Sequence, residues 1–293
     1  MRIEPILDTI LTVLFMRKSV GICWLLLLAA SAGAGDWKLV WSDEFDKPGL
    51  PDPDKWNYEQ GFIRNNEEQL YTKGRAENAR VENGMLIIEA RKERFKNPGF
   101  NPKEKGAGWI RRNRESAEYT SASLTTSGKA SWTYGRIEVR AKLPSGRGVW
   151  PAIWMLGTNT PSVGWPTGGE IDIMEFVGFD PGVIHANIHV KKYNHIHNNG
   201  KGSQITIPDA SEAFHVYALE WDAQHLDFFV DDKKYFTYTN EQTGADAWPF
   251  DKGQYLILNL AIGGSWGGSQ GIDEKIFPQK YSIDYVRVYQ KNR

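Results

Sequence analysis

The chain has 293 residues, a formal net charge of −1 and one cysteine, Cys23. So even a balance offers nothing to nucleic acid or to an anionic membrane surface. Aromatic residues are abundant, with 12 Trp, 12 Tyr and 13 Phe, and that much Trp points to a surface that stacks on flat apolar faces as well as to a core.

Residues 1–34 read apart from the fold. Met16-Arg17-Lys18 is a short basic start, residues 20–30 are an apolar run, and Ala32-Gly33-Ala34 has the small-x-small pattern of a cleavage site. This is the pattern of a secretory signal peptide, and the run is short for a membrane span. Residues 1–15 precede the basic start awkwardly, so Met16 is the expected initiator. Cys23 falls inside the signal, which leaves residues 35–293 without thiol or disulfide. A secreted domain of that kind relies on a large core or a bound ion. Residues 35–293 suffice for one domain, expected to act as a monomer in the periplasm or outside the cell.

Strand-like segments dominate the rest. They fall at 38–41, 85–90, 121–125, 134–143, 170–177, 185–190, 215–221, 226–230, 255–261 and 282–289, all rich in β-branched or aromatic residues. Asn83-Gly84 and Asp231-Asp232 read as turns between strands. No long stretch has helical periodicity, and no linker or repeat divides the chain. Many short strands with Gly-rich turns predict an all-β sandwich or barrel. Two polar segments, 92–116 and 191–203, read as long loops of the kind that often carry binding sites.

The run Gly-Glu-Ile-Asp-Ile-Met-Glu-Phe-Val-Gly at 169–178 carries the chemistry. Glu170 and Asp172 are two apart and share a strand face. Glu175 is out of phase unless one extra residue, Met174 or Ile173, is bulged out. With that bulge three acids line one face, and Ile171, Ile173 and Phe176 help to fill the other. Acids so close repel, which raises at least one pKa. Paired carboxylates that hydrolyse a glycosidic bond fit best. A solvated acidic edge and calcium binding by the acids are the other readings. The interleaved apolar residues, which demand a buried back, speak against the first. His185 and His189, four apart, could hold zinc with His195 or His197, although no firm third ligand is evident.

Trp150, Trp154, Trp165 and Trp266 are the stacking candidates. Trp150 and Trp154 can share a face across Pro151, Trp165 lies in a Gly/Pro-rich loop just before Glu170, and Trp266 sits in a Gly-rich loop.

With these residues in view the sequence resembles glycoside hydrolase family 16, and within it the laminarinase-like endo-β-1,3-glucanases. The resemblance rests on Glu-Ile-Asp-Ile-Met-Glu at 170–175, Trp41-Ser42-Asp43-Glu44-Phe45, Tyr134-Gly135-Arg136-Ile137-Glu138, the run 148–156, Asn259-Leu260-Ala261-Ile262-Gly263-Gly264 and Asp284-Tyr285-Val286-Arg287-Val288-Tyr289. Agarases and carrageenases can share the longer acid run. Ser123 departs from the pattern, since many relatives carry Arg there.

The resemblance implies a β-jelly-roll sandwich of two antiparallel sheets with a concave cleft for a β-glucan polysaccharide. It implies retention of configuration, with Glu170 as nucleophile, Glu175 as general acid and then base, and Asp172 between them as orienting group. It adds Asn65 and His189 as substrate contacts. Catalysis then needs no cofactor, and a structural calcium would sit on Glu44, the Gly84 carbonyl and Asp284. Another β-glucan or a marine galactan as substrate, transglycosylation, and a non-catalytic glucan-recognition lectin are the alternatives. Retention of both glutamates weighs against the lectin.

Overall fold

The structure is a computed structural model that describes residues 37–103 and 113–292. The expected signal segment, with Met16 and Cys23, lies outside the described residues, as do residues 104–112 of the first polar loop.

In chain order the strands are β1 (Trp37–Asp43), β2 (Asn57–Tyr58), β3 (Gln69–Tyr71), β4 (Ala79–Glu82), β5 (Met85–Lys96) and β6 (Ser116–Ser121). Next come β7 (Ser123–Thr125), β8 (Gly135–Lys142), β9 (Val149–Gly157), β10 (Glu170–Phe176), β11 (Val183–His189) and β12 (Lys201–Thr206). The last are β13 (His215–Trp221), β14 (His225–Val230), β15 (Lys233–Thr239), β16 (Gln254–Ile262) and β17 (Gln279–Lys291). Helix among the described residues is limited to single turns at Thr160–Val163, His195–His197 and Glu274–Ile276.

Two sheets result. One runs β15-β14-β13-β8-β17-β5-β6-β3, with β1 on β17 and β4 on β5. The other runs β12-β11-β10-β9-β16-β7-β2. Alternating strands of both sheets send Ile137 and Val139, Tyr217 and Leu219, Ile153 and Met155, and Leu256 and Leu258 into one shared core. This is the all-β jelly-roll sandwich that the sequence implied. It departs from an all-antiparallel plan at one place, since β3 pairs parallel with β6.

The turns follow their residues. Asn83 and Gly84 both hold positive φ, 55° and 72°, as a two-residue turn between β4 and β5 requires. Asp231 does likewise between β14 and β15, with φ 52°.

Three sequence readings need correction. Residues 92–96 are not loop but the end of β5: their charges read as solvated, yet Glu93 is held by Arg75, whose guanidinium lies over Phe95. Residues 201–203 belong to β12, which pairs with β11 from Lys201 opposite Ile188. The expected strand 121–125 is two strands in different sheets, β6 and β7, and the chain crosses between the sheets at the buried Ala122.

β10 is an inner strand, and it carries the bulge. Against β9, Asp172 faces Trp154 and Met174 faces Ile153, which leaves Ile173 without a partner. Against β11, Asp172 faces Asn187 and Glu175 faces His185, so Ile173 and Met174 together oppose Ala186. Ile171, Ile173, Met174 and Phe176 are all buried in the shared core. Each contributes about 1.5–3 kcal/mol of apolar burial, which locks the phase of the strand. Deleting Met174 would give a regular strand with all three acids still in phase. We expect that variant to fold, less stable by about 2–5 kcal/mol for the lost side chain. Deleting Ile171 removes a similar side chain but turns a carboxyl into the core, and should abolish the cooperative melt. Equal losses for the two deletions, measured by denaturant unfolding, would contradict the phase argument.

Candidate active site

The face of β10 away from the core presents Glu170, Asp172 and Glu175. Across β9 they meet Leu156, Trp154 and Ala152; across β11 they meet His189, Asn187 and His185. Each acid therefore sits between an apolar or aromatic neighbour and an imidazole or amide.

The three carboxyls have different partners. Trp165 Nε1 donates to Glu170 Oε2 (2.9 Å). Glu175 accepts two bonds, from Trp150 Nε1 (3.1 Å) and from Asn187 Nδ2 (3.0 Å). Asp172 is buried, and its Oδ2 accepts no hydrogen bond. His189 Nε2 stands 3.4 Å from that oxygen and 3.7 Å from Glu170 Oε1.

Burial pushes all three carboxyls above the ordinary range. Glu170 is pushed up to about 7 by burial, with the Trp165 N–H and the charge of Arg64 pulling the other way. Asp172 is raised well above the usual value by burial and then by Glu170 and Glu175. Glu175 is raised by burial, opposed by His189 and its two N–H donors. Burial lowers His189, which favours the neutral imidazole. A cluster of this kind holds fewer charges than carboxyls near neutral pH, and it can pass a proton among its members.

The aromatic candidates fall on this same face. Trp150 and Trp154 flank the acids as the even spacing implied. Trp266 packs edge-on against Trp150, with ring centroids 5.5 Å apart, and against His185 at 5.0 Å. Trp154 donates its N–H to Asn259 Oδ1 (2.7 Å) and lies under the guanidinium of Arg64. Trp165 is 37% exposed and leans on His189 and His195. Asn65 takes a left-handed turn conformation, donates to Glu67 Oε1 (3.3 Å) and accepts the N–H of Ser265 on its carbonyl (2.8 Å). It thus anchors the loop that carries Trp266.

Sequence reasoning missed the support beneath Trp154. Arg64 is paired with Glu59, which also accepts from Ser123 Oγ (2.6 Å), and Asn259 donates to Tyr71 Oη (3.0 Å). Asn187 was missed as well; its place two residues before His189 on β11 was the available signal.

The family model for glycosyl hydrolases family 16 matches residues 66–287. The chain belongs to that family. A beta-glucanase of Rhodothermus marinus is 50% identical over 276 residues, covering 91% of this chain and 90% of that protein. The X-ray structure of the laminarinase from Rhodothermus marinus has a TM-score of 0.78 at 50% identity, covering 88% of this chain and 98% of that one. A crystal structure of a mutant non-specific endo-beta-1,3(4)-glucanase of the family, with a 1,3-beta-D-cellobiosyl-glucose at its active site, has a TM-score of 0.79 at 48% identity, covering 88% of this chain and 96% of that one. In this family member, as in the sequence reading, Glu170, Asp172 and Glu175 share one open sheet face.

The zinc alternative of His185 and His189 with His195 or His197 does not assemble. Among the described residues the one group of metal-ligating atoms is Glu170, Asp172 and His189. His195 instead packs edge-on against His189. For calcium, strand register brings Glu44, Gly84 and Asp284 to one edge: Asp43 pairs with Val286, and Ile283 with Leu86. Their oxygen donors suit that ion. In this geometry Glu44 is paired with Arg287 (2.8 Å) and Asp284 with Arg140 (2.6 Å).

Replacing Trp150 by Phe keeps the ring and removes the N–H given to Glu175. That bond lowers the Glu175 pKa, so its loss should raise it further. Carboxyl-carbon NMR titration reads the shift; a fall would contradict the assigned bond.

Proposed function

We propose that the chain is a secreted, retaining glycoside hydrolase that cleaves internal β-1,3 bonds of laminarin-type glucan. The observation that carries this reading is the in-phase trio on β10, whose outer carboxyls receive N–H donors from opposite sides. Trp150, Trp154, Trp165 and Trp266 supply apolar faces for sugar rings, with Asn65 and His189 at the rim and beside the acids.

The chemistry follows from two carboxyls with different surroundings. Glu170 attacks the anomeric carbon while the bond to the leaving oxygen breaks, and Glu175 gives that oxygen its proton. A glycosyl ester on Glu170 results. Water then attacks the same carbon, Glu175 takes the water's proton, and Glu170 leaves as carboxylate. Asp172 is the orienting partner beside Glu170, and the charge of Glu170 disfavours a second one on Glu175, which keeps the acid protonated. The steps draw only on these side chains and water.

A second reading, β-1,3 cleavage within mixed-linkage glucan, is supported by the likeness to the non-specific endo-β-1,3(4)-glucanase. Product sizes from laminarin and lichenan over time separate the two. Secretion rests on the pattern in residues 16–34, and the N-terminal sequence of the exported protein tests it. For roles, Glu175→Ala with added azide should yield the β-glycosyl azide. Glu170→Ala should yield the α product, and only from an activated donor. Swapped products would reverse the assignments.

A structural calcium on Glu44, the Gly84 carbonyl and Asp284 completes the proposal, supported by their common strand edge. The ion would draw Glu44 and Asp284 away from Arg287 and Arg140. Chelator should then lower the melting temperature; an unchanged one would leave the two arginine pairs as the clasp.

A further inference from the structure

Glu170 on β10 stands directly opposite His189 on β11, and Asp172 lies diagonally from it on the same face. One ligand atom from each of the three residues lies within 4.8 Å of the other two. The His189 Nε2 separations are 3.4 Å to Asp172 and 3.7 Å to Glu170. Zinc binds imidazole nitrogen and carboxylate oxygen at about 2.0–2.2 Å, and a tetrahedron with arms of about 2.1 Å has edges of about 3.4 Å. Both separations are close to that edge. Asp172 is only 3% exposed, and its Oδ2, which faces His189, accepts no hydrogen bond.

We propose that Glu170, Asp172 and His189 form a binding site for a zinc-type divalent cation, whose occupation shuts off the glycosidic chemistry. One nitrogen and two carboxylate oxygens suit zinc better than calcium or magnesium, which favour all-oxygen shells. Three protein ligands leave the fourth position to water. Rings hold the imidazole in place, with Trp165 and His195 against His189 at 5.9 and 5.1 Å. The bound ion occupies the Glu170 carboxylate, so that oxygen is no longer free to attack. The shut-off rests on the assignment of Glu170 as nucleophile; the binding does not.

The test titrates the tag-free full-length chain with zinc by calorimetry, and with cobalt by its visible spectrum. We expect one site and the intense band of four-coordinate cobalt. Loss of an outer partner alone costs about 10–100-fold in metal affinity, so removal of a ligand in His189→Ala should weaken binding by at least about 100-fold. Asp172→Asn, should His189→Ala fail to fold, must weaken it as well. His215→Ala removes a histidine placed between Asp209 and Asp231 elsewhere on the molecule, and should leave zinc affinity unchanged. Affinity unaffected in both site variants, or lost in His215→Ala instead, would overturn the proposal. So would the weak band of six-coordinate cobalt. Zinc bound as expected without inhibition would keep the site and overturn the shut-off.

Discussion

The site depends on a single strand having to serve two environments at once. β10 must keep hydrocarbon behind it and carboxyls in front, and five residues separate Glu170 from Glu175. Strict alternation would send one of the two into the sandwich core, where an unpaired carboxylate is far more costly than any bulge. Two residues opposite one resolve the conflict, and both bulged side chains, Ile173 and Met174, remain buried in the core. The bulge therefore adds apolar contact at the point where it breaks the ladder. Its position on an inner strand matters too, because β9 and β11 pin the register from both sides.

Once three acids share a face, their differences come from their neighbours. Glu175 has two N–H donors, Glu170 has one, and Asp172 Oδ2 has none. Burial lifts all three, but the central residue also feels both flanking charges and is lifted well above its usual value. Such unequal surroundings let carboxyls of similar intrinsic strength titrate apart, as the proposed roles of nucleophile, acid and orienting partner require. The tryptophans have a double part in this. Trp150 and Trp165, proposed to stack on sugar rings, direct their N–H groups at the carboxyls, so ring position and acid position are coupled.

Much of this was legible in the sequence because it is local. Period-2 alternation located most of the long strands, Asn83-Gly84 announced its turn, and the spacing of the acids required the bulge. What escaped had physical reasons. β9 was seen as an extended segment bearing Trp150 and Trp154, but Pro151 and its nearly continuous burial hide the alternation of a half-exposed strand. Residues 92–96 look solvated because their charges find partners far away in sequence, Glu93 with Arg75 and Lys92 with Glu274, which composition does not reveal. Glu44 and Asp284 read as calcium ligands only through the family resemblance; their pairing with Arg287 and Arg140 appears only when the last strand meets β1 and β8.

The layer beneath Trp154 was hidden for the same reason, and it explains why the trio is not electrostatically symmetric. Arg64, Glu67 and Tyr71 come from the early part of the chain, while Asn259 comes from β16. Arg64 is a half-buried cation, kept charged by Glu59 and Glu67 against the cost of its desolvation. Its field lowers Glu170. At the other end the N–H groups of Asn187 and Trp150 lower Glu175. Opposing supports at the two ends leave the middle acid as the least tolerable place for a charge. The sandwich thus sets, through residues remote in sequence, how charge divides within a local motif.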